Sequence, residues 1–158
     1  MHTIRRIVSI AAAGVLLAGC SASEPPDLTG AYQLSEAFET EASERDDALG
    51  VLSSRVTNTS SANDNSSVEI DFPSDVLLSE VQAACFGGGE VQISLTVREG
   101  SSWSGGETEP TSLACTGNST PLTLRADLAD INAVMFSGRL VSGDGAVASL
   151  ALFGDATD

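Results

Sequence analysis

The sequence contains no lysine, and its only histidine is His2, ahead of the first apolar run. Without lysine there can be neither a Schiff base nor a serine–lysine dyad. With the histidine confined to the leader, no Ser-His-Asp or Cys-His arrangement can form in the folded part, nor a histidine-ligated metal site. A Walker loop, a dinucleotide-binding glycine fingerprint and a calcium-binding helical loop are missing as well. Aromatic residues make up only 4% of the 158 residues, and Trp103 is the single tryptophan.

Basic charge is also scarce. After Arg5 and Arg6, only Arg45, Arg55, Arg98, Arg125 and Arg139 oppose 22 acidic residues, all of which lie beyond residue 19, so that part carries a net charge of 5 − 22 = −17. Such a charge repels nucleic acid and anionic lipid head groups. It reads as a solvated acidic surface, with a cationic partner or condensed metal ions as the alternative.

The beginning of the chain is a different kind of sequence. Arg5 and Arg6 precede an apolar stretch over residues 7–17 that is broken only by Ser9. This is shorter than the roughly 20 apolar residues of a spanning helix, and it has the parts of a cleavable secretory signal. Leu17, Ala18, Gly19 and Cys20 resemble the lipobox of bacterial lipoproteins, in which two small residues precede a cysteine. Over residues 1–20, the resemblance implies a diacylglycerol on the Cys20 sulfur, cleavage before Cys20, and a protein anchored on the extracytoplasmic side of the cell membrane. It implies no activity. Ser21 follows, so the aspartate that retains some lipoproteins at an inner membrane is missing. The lack of lysine beside abundant Ala, Gly, Ser and Arg matches proteins of high-G+C Gram-positive bacteria.

Without residues 1–19, 139 residues remain, enough for one ordinary domain. They keep an even pair of cysteines, Cys85 and Cys115, in a compartment where thiols oxidise, which predicts a disulfide. No third soft ligand accompanies them, so a metal site is not expected, and no cofactor is implied.

Residues 20–30 are small, polar and proline-containing and read as a tether. Over residues 31–55, Leu34, Phe38, Ala42, Leu49 and Leu52 recur near helical spacing among many acids, which predicts an acidic helix between tether and main domain. Residues 56–66 read as a polar loop. From residue 67 to 154 the period becomes two, which predicts strands over residues 67–72, 80–86, 91–98, 113–116, 122–127, 131–140 and 146–153. The last of these is apolar on both faces and reads as central. Residues 75–85 also fit a helix capped by Ser74, but Gly87, Gly88, Gly89 and the alternating run after them favour a hairpin. Asp144 and Gly145 mark another tight turn.

The expected fold is therefore mainly β: an antiparallel β-sandwich, immunoglobulin-like or jelly-roll, preceded by a signal peptide, tether and one helix. The CFGGG run before a long alternating strand, with ACTG after a loop, is similar to small two-cysteine lipoproteins of high-G+C Gram-positive bacteria. That resemblance implies no activity either.

Three sets of residues carry candidate chemistry. Trp103 lies in SSWSGGETEP, a polar stretch where nothing local requires a large ring. It is a candidate partner contact, or else it folds back over an edge of the core. Asn63, Asp64, Asn65 and Ser66, with Glu69 and Asp71, offer hard oxygen ligands but lack the glycine and spacing of a calcium loop. Carboxylate pairs could in principle serve a hydrolase, yet no spacing singles one out. The expectation is a lipid-anchored, non-catalytic envelope protein whose sandwich binds a protein, a glycan or a cation. The alternatives are a structural or stress-related surface lipoprotein without a specific ligand, and a small carboxylate hydrolase.

The lipobox reading makes a direct prediction: Cys20→Ala moves the protein from the membrane fraction into a soluble or uncleaved form. Unchanged processing and membrane fractionation of that variant would defeat the lipid anchor.

Overall fold

The computed structural model describes residues 26–58, 66–105, 108, 111–125 and 128–157. The signal segment and Cys20 lie outside them, as do Asn63, Asp64 and Asn65. The elements are helix α1 (Thr29–Ser43) and strands β1 (Ala48–Thr57), β2 (Ser66–Gly87), β3 (Glu90–Glu99), β4 (Ser102–Gly105), β5 (Thr111–Ala114), β6 (Thr120–Leu122), β7 (Leu128–Ser142) and β8 (Gly145–Ala156). All strand pairings are antiparallel, in the order β1-β8-β2-β7-β3-β4, with β5 beside β3 and β6 beside β2. The chain is mainly β, as expected, and the sheet is folded into a sandwich.

The fold-over is built into β2. Its first half pairs with β7 and its second half with β8. Between them, Asp71 faces Ala133 while Val76 faces Ile131, so five steps on β2 match two on β7. Pro73 sits in this gap, where it has no N–H to give to a ladder. One layer is then β1, β8, the second half of β2, and β6; the other is the first half of β2, β7, β3, β4 and β5.

The layers meet through Leu52, Val56, Val81, Ala83, Val91, Ile93, Leu95, Phe136, Leu150 and Leu152, among others, in one buried cluster. Close approach needs a missing side chain at Gly138: a Cβ there would lie 2.8 Å from Val56 Cγ2 across the sandwich. Cys85 and Cys115 are bonded, with their Cα atoms 4.3 Å apart. The bond ties the end of β5 to the β2–β3 hairpin, where Gly117 N–H donates to the Cys85 carbonyl and Cys115 N–H to that of Gly89. Closing a loop of this length is worth about 3–4 kcal/mol on the chain-entropy estimate.

The helix expected over residues 31–55 needs correction. It ends at Ser43, and Ala48–Thr57 is a strand paired along its length with β8. Leu52 and Val56 point into the sandwich while Val51 packs toward the helix. β1 thus carries apolar side chains on both faces, and this hides a period of two behind an accidental helical spacing. The bounds of the neighbouring segments shift accordingly: Thr29 and Gly30 belong to α1, Val56 and Thr57 to β1, and β8 runs on to Ala156. The strands expected at residues 67–72 and 80–86 are one strand, and of the strand expected over residues 122–127, Leu122 ends β6 and Leu124 makes a single bridge to Thr108.

Ala31, Ser35, Phe38 and Ala42 recur at i, i+4, i+7 and i+11, one face of the helix. Three are small, so the backbone lies close on the outer face of the first layer. Leu28 and Ala31 pack with Ala84, Phe86 and Val147, and Ala42 packs with Ala151 and Phe153, with Phe38 touching both groups. Between these apolar groups lies a hydroxyl cluster. Ser149, fully buried in β8, is 2.9 Å from the hydroxyls of both Ser35 and Ser53, and Glu39 Oε1 accepts from Ser35 at 3.0 Å and from Ser53 at 2.5 Å.

Arg45 fastens the helix end. Its guanidinium lies 3.6 Å from the Phe153 ring centroid and pairs with Asp47 at 2.7 Å and Glu80 at 2.9 Å. These bonds hold both carboxyls below their ordinary pKa values, Glu80 with help from the Gln82 amide. A carboxyl with a lowered native pKa stabilises the fold fully above its unfolded value and loses that contribution as pH falls through the native value. Arg45→Met should therefore lower the thermal midpoint by a few degrees at pH 7. The deficit should shrink below about pH 4, where Asp47 and Glu80 take up protons. Thermal scans from neutral pH downward check this; a deficit that stays constant with pH would leave ring stacking as Arg45's whole role.

Candidate functional site

The two outer faces of the sandwich are unlike each other. The first is covered by α1. The second, formed by β2, β7, β3 and β4, has no element over it among the described residues, and its outward side chains fall into rows fixed by the register. Asp71, Ala133, Arg98 and Trp103 form one row; Glu69, Met135, Thr96 and Gly105 the next; Ser67, Ser137 and Ser94 a third. Arg139, Gln92 and Ser112 form the fourth, with Ser112 on β5. At ordinary strand spacings this surface is about 20 Å along the strands and about 14 Å across them.

Trp103 occupies one corner. It lies on the short edge strand β4 opposite Arg98 and is 41% exposed. The Arg98 guanidinium stands 5.2 Å from the indole centroid, within cation–π range. Arg98 in turn is held by side chains from two other strands, β7 and β2. Its Nε donates to Asn132 Oδ1 at 2.8 Å, and its terminal nitrogens pair with Glu69 at 3.4 Å and with Asp71. Asn132 also donates to the Gly100 carbonyl at 2.8 Å, which fixes the β3–β4 turn. The ring is therefore oriented from behind.

The rest of the face is hydroxyl and amide. Ser94 and Ser137 hydroxyls are 2.8 Å apart, and Arg139 donates to Gln92 Oε1 at 2.6 Å. Across the four rows two carboxylates meet two guanidiniums, so the face is locally neutral on a protein of net charge −15. Glu69 and Asp71, candidates for an oxygen-ligand cluster in the sequence, are engaged with Arg98. No group of three or more metal-binding side chains occurs among the described residues.

Two other features of the described residues have polar groups gathered together. A groove of about 480 Å³ lies where the start of α1 meets the β2–β3 and β7–β8 turns, but half of its lining residues are glycines, and its Asp27 carboxyl, held below its ordinary pKa, accepts from Thr29 N–H. The hydroxyls of Ser35 and Ser149 are closed under the helix, so they are structural.

Sequence reading singled out Trp103 but missed Arg98, Asn132 and the serine row. Gln92, Ser94, Thr96 and Arg98 were legible as outward positions of an alternating strand. Their partners come from strands about 30 to 45 residues away, and only the register brings them together.

Trp103 is the sole tryptophan, so its fluorescence reports this corner alone. Trp103→Ala should change the unfolding free energy by less than about 1 kcal/mol, as for other surface substitutions. Native emission should already lie close to that of the unfolded chain and should shift in Arg98→Ala. A loss of several kcal/mol, or a strongly blue-shifted native emission, would return the ring to a core-covering role.

No protein-family model, curated protein or solved structure matches this chain.

Proposed function

We propose that the protein is a lipid-anchored protein of the cell envelope whose non-catalytic sandwich binds a partner through its open sheet face. The lipobox-like residues ending at Cys20 and the residue 7–17 apolar stretch support the anchor and the compartment. Among the described residues, no helix is long and apolar enough to cross a membrane. The observation that carries the binding role is the asymmetry of the sandwich: one outer face is sealed by α1, while the other presents a tryptophan oriented by a three-strand arginine network.

Exposed aromatics with a fixed orientation contribute binding energy at little entropic cost, because few rotamers remain to be frozen on contact. A face serving only solubility has no use for such a ring. The alternative of a surface lipoprotein without a specific ligand would leave the Trp103 corner without a purpose.

A crosslinking pull-down from native membranes tests the reading. Thr96→Arg places a bulky charge at the centre of the open face, and Gln33→Arg does the same on the exposed side of the helix. The partner should be recovered with the wild type and with Gln33→Arg, and lost with Thr96→Arg. Recovery undiminished by Thr96→Arg would move the binding role away from this face.

A further inference from the structure

The open face also constrains what it would bind. We infer that its ligand is an uncharged glycan chain, lying across the strands and stacked at one end on Trp103; this rests on the open face being the contact surface proposed above.

Charge sets the first constraint. A protein of net charge −15 repels anionic polymers at a distance, and of the two arginines on the face Arg98 is tied to Glu69, Asp71 and Asn132, which leaves Arg139, bonded to the neutral Gln92 amide, as a single exposed charge too little to reverse that repulsion. A cationic ligand would find no free carboxylate in these four rows. The face thus suits a partner without charge.

Next comes polarity. Apart from Trp103, Met135 and Ala133, the outward side chains are hydroxyls, amides, the Arg98 ion cluster and the Arg139 guanidinium, and Ala133 is buried. The centre of a protein–protein interface is typically richer in aromatic and aliphatic groups than this. Ser67, Ser94, Thr96 and Ser137 each carry a hydroxyl that both donates and accepts, which matches the hydroxyls of a sugar ring one for one. Strands about 4.8 Å apart space these groups at close to the width of a single ring.

Last is the indole itself. The C–H groups on one face of a pyranose form a small apolar patch that packs on an aromatic ring, and they carry partial positive charge toward the π-cloud. Arg98 holds Trp103 in place for such a contact. The open face, about 20 Å by 14 Å and without a cleft among its rows, fits an extended chain rather than a compact small molecule. We assign Trp103 to stacking, Thr96 and Ser94 to hydrogen bonding, and Arg98 to positioning the ring.

Affinity electrophoresis of the full-length protein in detergent, through gels containing a linear β-glucan, a galactomannan or an arabinogalactan, tests the inference. The wild type should be retarded by at least one of these. Trp103→Ala should weaken retardation at least tenfold, Trp103→Tyr should restore most of it, and Thr96→Arg should abolish it, with thermal midpoints near the wild-type value. Retardation by none of the three polysaccharides overturns the inference, and so does retardation that Trp103→Ala and Thr96→Arg leave unchanged. A photo-crosslinking residue at position 94 separates the two levels. Without retardation, a protein captured there removes the glycan but keeps the face as a contact surface; no capture as well removes both.

Discussion

Strand β8 is enclosed on every side, and the rest of the fold follows from supplying its neighbours. It hydrogen-bonds to β1 along one edge and to β2 along the other. Ala146, Ala148, Leu150 and Leu152 face the sandwich core, while Val147, Ala151 and Phe153 face outward and need a cover of their own. The helix provides it, with small residues at Ala31, Ser35 and Ala42 that let it sit close. Ser149 is the one polar side chain in this apolar run. Burying a hydroxyl without a partner costs on the order of 1–3 kcal/mol, and the Ser35, Ser53 and Glu39 cluster removes that cost. The helix is therefore part of the core rather than an appendage to it.

This arrangement makes the two outer faces serve different ends. Apolar side chains on one face demand a lid, and polar side chains on the other let it stay open to water. Both follow from the alternation of single strands: β3 places Val91, Ile93, Leu95 and Val97 inward and Gln92, Ser94, Thr96 and Arg98 outward. The exposed margin is handled with short strands. β4 and β5 have four residues each and β6 three, which keeps those edges short, while the ten-residue β1 forms the opposite edge of the order.

Much of this architecture was legible from residue pattern because most strands have one wet face. The alternation in β3, the glycine turns and the even cysteine pair each pointed to the structure that forms. Where both faces are covered, the pattern loses its meaning. β8 was still readable as central, because its run is apolar without interruption. β1 was not, since Val51 and Leu52 serve opposite layers and Leu49 mimics a helical repeat. The Trp103 corner shows the other limit. Its ring stood out as unexplained, but Glu69, Asp71, Arg98 and Asn132 are far apart along the chain and become one unit only through register.

The described chain enters the domain beside Gly145, where a Cβ would lie 2.8 Å from Pro26 Cγ, and so at the same end as the β2–β3 and β7–β8 turns. Trp103 sits opposite Arg98, eight residues along β3 from Glu90 and about 27 Å from that end. Strand β3 thus acts as a mast. A domain held by its entry segment, as the proposed anchor would hold it, carries the indole and its row at the end of the sandwich remote from the attachment.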